Sequence, residues 1–272
     1  MSAAVGIDML DNVLIALVIT LAAGMATVFG SALVFFQKTP SPRLLAFGLA
    51  FAAGAMVFVS LTEIFGKSVN SFGQLNGHGT LWATAAFLLG LVMVLMLDRL
   101  IPNPHETLDV NDPQFQDGQK TMLKRIGLMS ALAITAHNLP EGLATFFATM
   151  DSPTVGAPLA FAIAVHNIPE GISIAAPIYF ATQNKRLTVM ACLVSGLAEP
   201  FGALMGYFVL KPFLSADVFG WVFGIIAGTM VFLAMDELLP AAKRYSDGHE
   251  TVYGLVGGMA MIAISLALFS MT

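Results

Sequence analysis

One hexapeptide pattern occurs twice, as His137-Asn138-Leu139-Pro140-Glu141-Gly142 and as His166-Asn167-Ile168-Pro169-Glu170-Gly171. Imidazole, amide oxygen and carboxylate together are the donor set of a borderline divalent cation. On a helix, residues i and i+4 share a face, so each copy sets an imidazole beside a carboxylate. Pro140 and Pro169 have no N–H to give, which is expected to kink the helix and free the carbonyls of Ala136 and Val165. Both copies sit in apolar stretches, where such groups need a compensating partner. Two ligand-rich kinks of this kind point to a metal site. Glu199, in Gly196-Leu197-Ala198-Glu199-Pro200, is a third carboxylate in an apolar setting.

The elements that carry these residues follow from composition. Of 272 residues, 57% are apolar and 11% charged, against about 25% charged in a soluble domain. Apolar runs of 18 or more residues recur along the chain, the pattern of an all-α polytopic membrane protein. Eight spans are expected in a single transmembrane domain covering 1–272, at 12–36, 43–66, 80–100, 121–149, 157–182, 187–210, 218–242 and 251–271. The intervals hold turn formers: Thr39-Pro40-Ser41-Pro42, the Gly/Asn/His stretch 70–79, and Asp151-Ser152-Pro153. The longest, 101–120, is rich in Pro, Asp, Asn and Gln and reads as a loop. No cleaved signal is expected, because the first residues carry Asp8 and Asp11 and no Lys or Arg. The lone Cys192 allows neither a disulfide framework nor a cysteine zinc site and reads as packing. A lipid bilayer is the expected surrounding, and no nucleic-acid partner is expected.

Basic residues orient the spans. Lys38, Arg43, Arg99, Lys120, Lys124, Arg125, Lys185, Arg186, Lys243 and Arg244 fall at one side, leaving only Lys67 and Lys211 of the 12 on the other. By the positive-inside rule both termini are extracytoplasmic and the 101–120 loop is cytoplasmic. A second repeat supports this frame. Ala53-Gly54-Ala55-Met56-Val57-Phe58 aligns without gaps with Ala227-Gly228-Thr229-Met230-Val231-Phe232, and the same register sets Glu63 opposite Glu237. Spans 2 and 7 are antiparallel, as are spans 4 and 5. The result is a 3+2+3 inverted-repeat arrangement, as in transporters that hold substrate at a repeat interface.

Depth separates the acidic residues into two sets. His137 lies a dozen residues beyond Arg125, so on the order of 18 Å from the inner boundary. His166 lies on the order of 14 Å from the outer one. The two motifs therefore meet near the midplane, with Glu199 at similar depth. Glu63 falls near the outer boundary, and Asp236 with Glu237 near the inner one. A central cluster with acidic groups at each mouth is the layout of a cation pathway. An ionised side chain at mid-membrane costs about 2.5–3.5 kcal/mol on insertion scales. No Lys or Arg lies at comparable depth, so Glu141, Glu170 and Glu199 require a cation or a water-filled cavity.

The donor set suits Zn²⁺, Fe²⁺, Mn²⁺ or Co²⁺, and the absence of further cysteines argues against a Cu(I) path. Asn138 and Asn167 offer only neutral oxygen, which weakens binding as a releasing site requires. Met56 and Met230 read first as packing. His78, His105 and His249 lie in loops, where His105 with Glu106, Asp109 and Asp112 could bind cytoplasmic metal transiently. A zinc protease needs His-Glu-x-x-His; Asn138 and Asn167 occupy the place of that Glu, and no His follows at i+4. An intramembrane metallohydrolase is therefore disfavoured. A divalent-metal transporter leads, and a metal-gated channel or receptor stays open.

The paired His-Asn-x-Pro-Glu-Gly motifs, the Glu199 segment and eight spans with both ends outside resemble the ZIP (Zrt/Irt-like) metal transporters. The paired motif resembles their bacterial zinc-uptake branch most, and the resemblance covers essentially the whole chain. It implies transport rather than enzymatic activity, in the bacterial inner membrane. It implies Zn²⁺ as transported substrate with Fe²⁺, Mn²⁺, Co²⁺ and Cd²⁺ beside it, and no catalytic cofactor. A two-metal centre is implied too. One ion would be held by His137, Glu141, His166 and Glu170 with Met56 near, the other by Asn138, Asn167 and Glu199 with Glu141 and Glu170 shared. Glu63 would serve the outer approach, and Asp236 with Glu237 the inner exit. The family is thought to slide spans 1, 4, 5 and 6 against spans 2, 3, 7 and 8. Many members carry a His-rich loop between spans 3 and 4, where this chain has one His. Its Gly-rich spans permit the close helix contact of a homodimer.

Overall fold

The computed structural model describes residues 2–36, 41–100, 115–151, 153–213, 215–246, 248–269 and 271. Every regular element among them is helical. Helix α1 covers Ser2–Val34. Helix α2, Pro42–Val59, runs through a π-helical turn, Ser60–Ile64, into α3, Phe65–Asn76. Then come α4 at Gly79–Leu100, α5 at Phe115–Asp151, α6 at Pro153–Thr182 and α7 at Lys185–Leu210. Helix α8, Ala216–Leu233, passes through a second π-helical turn, Ala234–Leu238, into α9, Leu239–Arg244, and α10 covers Glu250–Phe269. Among the described residues seven stretches are long and apolar enough to cross a membrane, and the 37-residue α5 runs beside them.

Local chemistry starts and stops these helices. Ser41, Asn184 and Ser215 cap α2, α7 and α8, each side-chain oxygen accepting from a backbone N–H three residues on, which satisfies one of the donors a helix start leaves bare. Helix α3 ends at Gly77, whose φ of 70° suits a residue without Cβ.

Two expectations change. The interval 70–79 is not a loop: the helix continues to Asn76, and the turn is confined to Gly77 and His78. The expected loop 101–120 is helical from Phe115 onward, and 101–114 lie outside the described residues. Helices α5 and α6 continue through Pro140 and Pro169. A proline removes one ladder bond, and packed neighbouring helices tolerate that within a membrane protein.

The helices form two groups. Helices α1, α5, α6 and α7 pack on one another, while α2 packs on α10 and α8 on α3 and α4. The groups meet mainly where α2 faces α6 and α5 faces α8. Within each group backbones touch. A Cβ on Gly24 would strike the Gly196 carbonyl, one on Gly30 the Ile168 carbonyl, and one on Gly54 the Leu255 carbonyl. Between the groups the contact is looser: a Cβ on Gly48 of α2 would meet only Pro169 of α6, at an ordinary 3.5 Å.

The π-helical turns at 60–64 and 234–238 lie 174 positions apart, the same shift that aligns the Ala53 and Ala227 segments. Glu63 and Glu237 thus occupy the fourth position of two matching turns. A π turn holds one residue more than an α turn, which rotates everything after it by about 100°.

These packings set an expected outcome. Gly196→Ala should lower stability by about 1–3 kcal/mol through overpacking. Gly66→Ala, with nothing within 4 Å of the new methyl, should raise it by about 0.4–1 kcal/mol. Thermal unfolding of the purified protein in detergent reads both.

Candidate metal centre

The two motifs face each other across α5 and α6, and their partners cross over. His166 Nε2 lies 3.1 Å from Glu141 Oε1, and His137 Nε2 lies 3.9 Å from Glu170 Oε1. Each histidine therefore approaches the glutamate of the other motif. All four side chains are fully buried. One donor atom each from His137, Glu141 and Glu170 lie within 4.8 Å of one another, a little beyond the roughly 4.4 Å that two ligands of one zinc can span at Zn–N and Zn–O distances of about 2.0–2.2 Å.

The asparagines are held by their donor ends. Asn138 Nδ2 donates to the Ser195 carbonyl at 3.0 Å and to Ser195 Oγ at 3.3 Å. Asn167 Nδ2 donates to the Ala23 carbonyl at 2.9 Å and to Glu199 Oε1 at 2.5 Å. Backbone carbonyls only accept, so they fix which end of each amide is nitrogen. Both Oδ1 atoms are left without a partner. So are both ring nitrogens of His137, Nδ1 of His166, Oε2 of Glu141, both carboxylate oxygens of Glu170 and Oε2 of Glu199. Orphaned buried polar atoms are rare and call for an explanation. Nine of them, carried by α5, α6 and α7, are the donors of a candidate cation site.

The glycine that closes each motif has a packing role the spacing did not show. A Cβ on Gly142 would strike the Glu199 carbonyl, and one on Gly171 the Thr27 carbonyl. These approaches bring α7 and α1 against the motifs and deliver Glu199 and the Ala23 carbonyl to the centre. Cys192 is buried and its thiol lies 3.5 Å from the Gly171 carbonyl as donor, in line with a packing role.

The remaining candidates stand apart. Met56 is fully buried in α2 within the main core, as is Met230 in α8. Glu63 is half-buried in the first π turn; in the second, Asp236 is exposed and Glu237 half-buried. Glu237 is near enough to Glu170 for their charges to interact. His78 and His249 are exposed, with His249 stacked on Tyr253. His105, Glu106, Asp109 and Asp112 lie outside the described residues. Sequence reasoning missed Ser195. Its signal was position: one turn before Glu199, on the same face of α7.

An apolar helical bundle with ligands converging at its middle defines a membrane protein that binds and passes cations. The family model described as "ZIP Zinc transporter" matches residues 103–266, more than half of the chain. A protein of Neisseria meningitidis serogroup B named "Zinc transporter ZupT" is 66% identical over 262 residues, covering 96% of this chain and 97% of its own length. One of the same name from Stenotrophomonas maltophilia is 63% identical over 261 residues, covering 95% of this chain and 97% of its own. Another from Chlorobium chlorochromatii is 45% identical over 269 residues, covering 96% and 100%. The chain belongs to the ZIP zinc transporter family. It is an integral membrane zinc transporter and not an enzyme.

The geometry predicts graded losses of zinc affinity. Ser195→Ala removes one of the two Asn138 partners and should weaken zinc binding by about tenfold, as loss of an orienting partner does. Cys192→Ala should leave it unchanged. Equilibrium dialysis against zinc checks both.

Proposed function

We propose that the chain takes Zn²⁺ up into the cytoplasm across the bacterial inner membrane through the centre formed by the two motifs. The observation that carries this reading is the set of nine unpartnered buried donors, with no Lys or Arg buried among the described residues. Eight spans cross the bilayer, with α5 as the fourth and both termini extracytoplasmic, in a 3+2+3 inverted arrangement. The matching π turns and the gapless repeat support that arrangement. The basic residues at one side support the orientation.

Two ions share the centre. His137, Glu141, His166 and Glu170 hold the first, with Met56 beside it. Asn138, Asn167 and Glu199 hold the second, with Glu141 and Glu170 bridging. Glu63 strips water from the arriving ion at the outer mouth, and Glu237 with Asp236 leads it to the cytoplasm. Such N/O sites separate first-row metals only modestly, so Fe²⁺, Mn²⁺, Co²⁺ and Cd²⁺ compete with zinc. Helices α1, α5, α6 and α7 move as one body against the rest. Their mutual contact is backbone on backbone, and their contact with the other group is not. Close glycine packing also permits a homodimer.

Binding requires neutral imidazole and ionised carboxylate, so capture releases protons and weakens as the medium is acidified. Labelled zinc uptake into proteoliposomes should fall progressively with acidification on the outer side. Glu141→Ala or Glu170→Ala should abolish uptake while the protein still inserts. Wild-type uptake in both variants would refute the assigned centre, and intact zinc binding with no flux would favour a metal-gated receptor.

A further inference from the structure

The two seams between the helix groups are related by the repeats yet differ in filling. On the outer side α5 meets α8. There Phe147 packs edge-on against Phe219, with ring centroids 5.6 Å apart, and Phe219 stacks on Phe223 at 6.0 Å. The 174-residue shift maps Phe219 onto Leu45 of α2, and the 29-residue shift between the motifs maps Phe147 onto Ala176 of α6. Val222 maps onto Gly48. At each matched position the inner seam carries the smaller side chain.

The consequence is a hole. A groove of about 270 Å³ opens between α2 and α6, walled by Leu45, Phe47, Gly48 and Phe51 on one side and Val165 and Pro169 on the other. It joins a smaller hollow of about 70 Å³ that shares Leu45 and Ile172 and reaches Ser41, Ala176 and Tyr245. From Leu44 to Phe51 the groove follows α2 for about 10 Å, from the cytoplasmic boundary to the depth of the second motif. Its walls are apolar, and Leu44 and Phe47 at its lip are exposed. Ser41, Pro42 and Tyr245 line the smaller hollow, and next to them in the chain stand Arg43 of α2 and Lys243 and Arg244 of α9, all exposed. Glu250 offsets part of this charge, with Arg43 Nε 3.5 Å from its Oε1.

We propose that this groove binds an anionic phospholipid of the cytoplasmic leaflet, its acyl chain between α2 and α6 and its phosphate at the Arg43, Lys243 and Arg244 rim. Apolar walls at membrane depth select an alkyl chain. A rim with net positive charge selects an anionic head group. The chain lies across the seam between the two helix groups, directly behind Pro169, so it holds them in the present relation. The orientation rests on the reading of the basic residues given above; occupancy of the groove does not depend on zinc flux.

Native mass spectrometry of the full chain in detergent, titrated with phosphatidylglycerol or phosphatidylcholine, tests this. One phosphatidylglycerol per chain should be retained in preference to phosphatidylcholine. Arg43→Gln, at an exposed position, should reduce that preference about fivefold, the equivalent of one basic contact. Ala176→Phe restores the outer-seam residue and should abolish retention of both lipids. Gly48→Leu should do the same, starting from a position with room for a Cβ. Equal retention of the two lipids by the wild type overturns the proposal, as does undiminished retention in Gly48→Leu. Lipid retention without zinc uptake would overturn the transport reading and leave this one standing.

Discussion

Three carboxylates, Glu141, Glu170 and Glu199, are fully buried in a bundle where no Lys or Arg is buried among the described residues. In a low-dielectric interior, such groups stay ionised only if a positive charge is brought to them. Their polar partners are His166 Nε2 for Glu141 and Asn167 Nδ2 for Glu199, while both oxygens of Glu170 have none. A divalent cation would complete the arrangement. The crossed pairing makes this stricter. His166 faces Glu141 and His137 faces Glu170, so an ion between the motifs ties α5 to α6 instead of serving either helix alone.

Holding such a site requires helices closer together than ordinary side chains allow. Gly142 and Gly171 let α7 and α1 reach the motifs, and Gly24 meets Gly196 backbone to backbone. These approaches make α1, α5, α6 and α7 a unit built around the ligands. Dispersion and fixed hydrogen bonds hold helices together in a bilayer, where burial from water contributes little. A group sealed by backbone contact is stiff, and a seam of side chains can slip. The placement of glycine thus separates backbone contact within a group from side-chain contact between groups.

The π turns act on direction. Each rotates the residues after it by about 100° relative to an unbroken α-helix. Glu63 and Glu237 lie within these turns, so their facing is set by the turn and not by spacing from Met56 or Met230. Glu237 comes within electrostatic reach of Glu170 by this route. The outer and inner seams add the asymmetry that repeats alone cannot supply: Phe147 against Phe219 on one side, Ala176 and Leu45 beside a hollow on the other.

The sequence by itself determined the class of the protein and the content of its centre. Apolar runs dictate membrane helices, and the positions of His137, Glu141, His166, Glu170 and Glu199 within those runs dictate one shared depth. The donor types dictate a divalent ion. The membrane-helix reading survives because the length of an apolar run is a local property. The crossed His–Glu pairs, the amide held by Ser195, the continuation of α3 through 70–76 and the start of α5 at Phe115 were decided by tertiary structure. They depend on which helix lies beside which, on how closely glycine lets backbones meet, and on a one-residue π insertion that no periodicity reveals. Long-range packing chooses the partner of each ligand, because a helix fixes only the face on which that ligand stands.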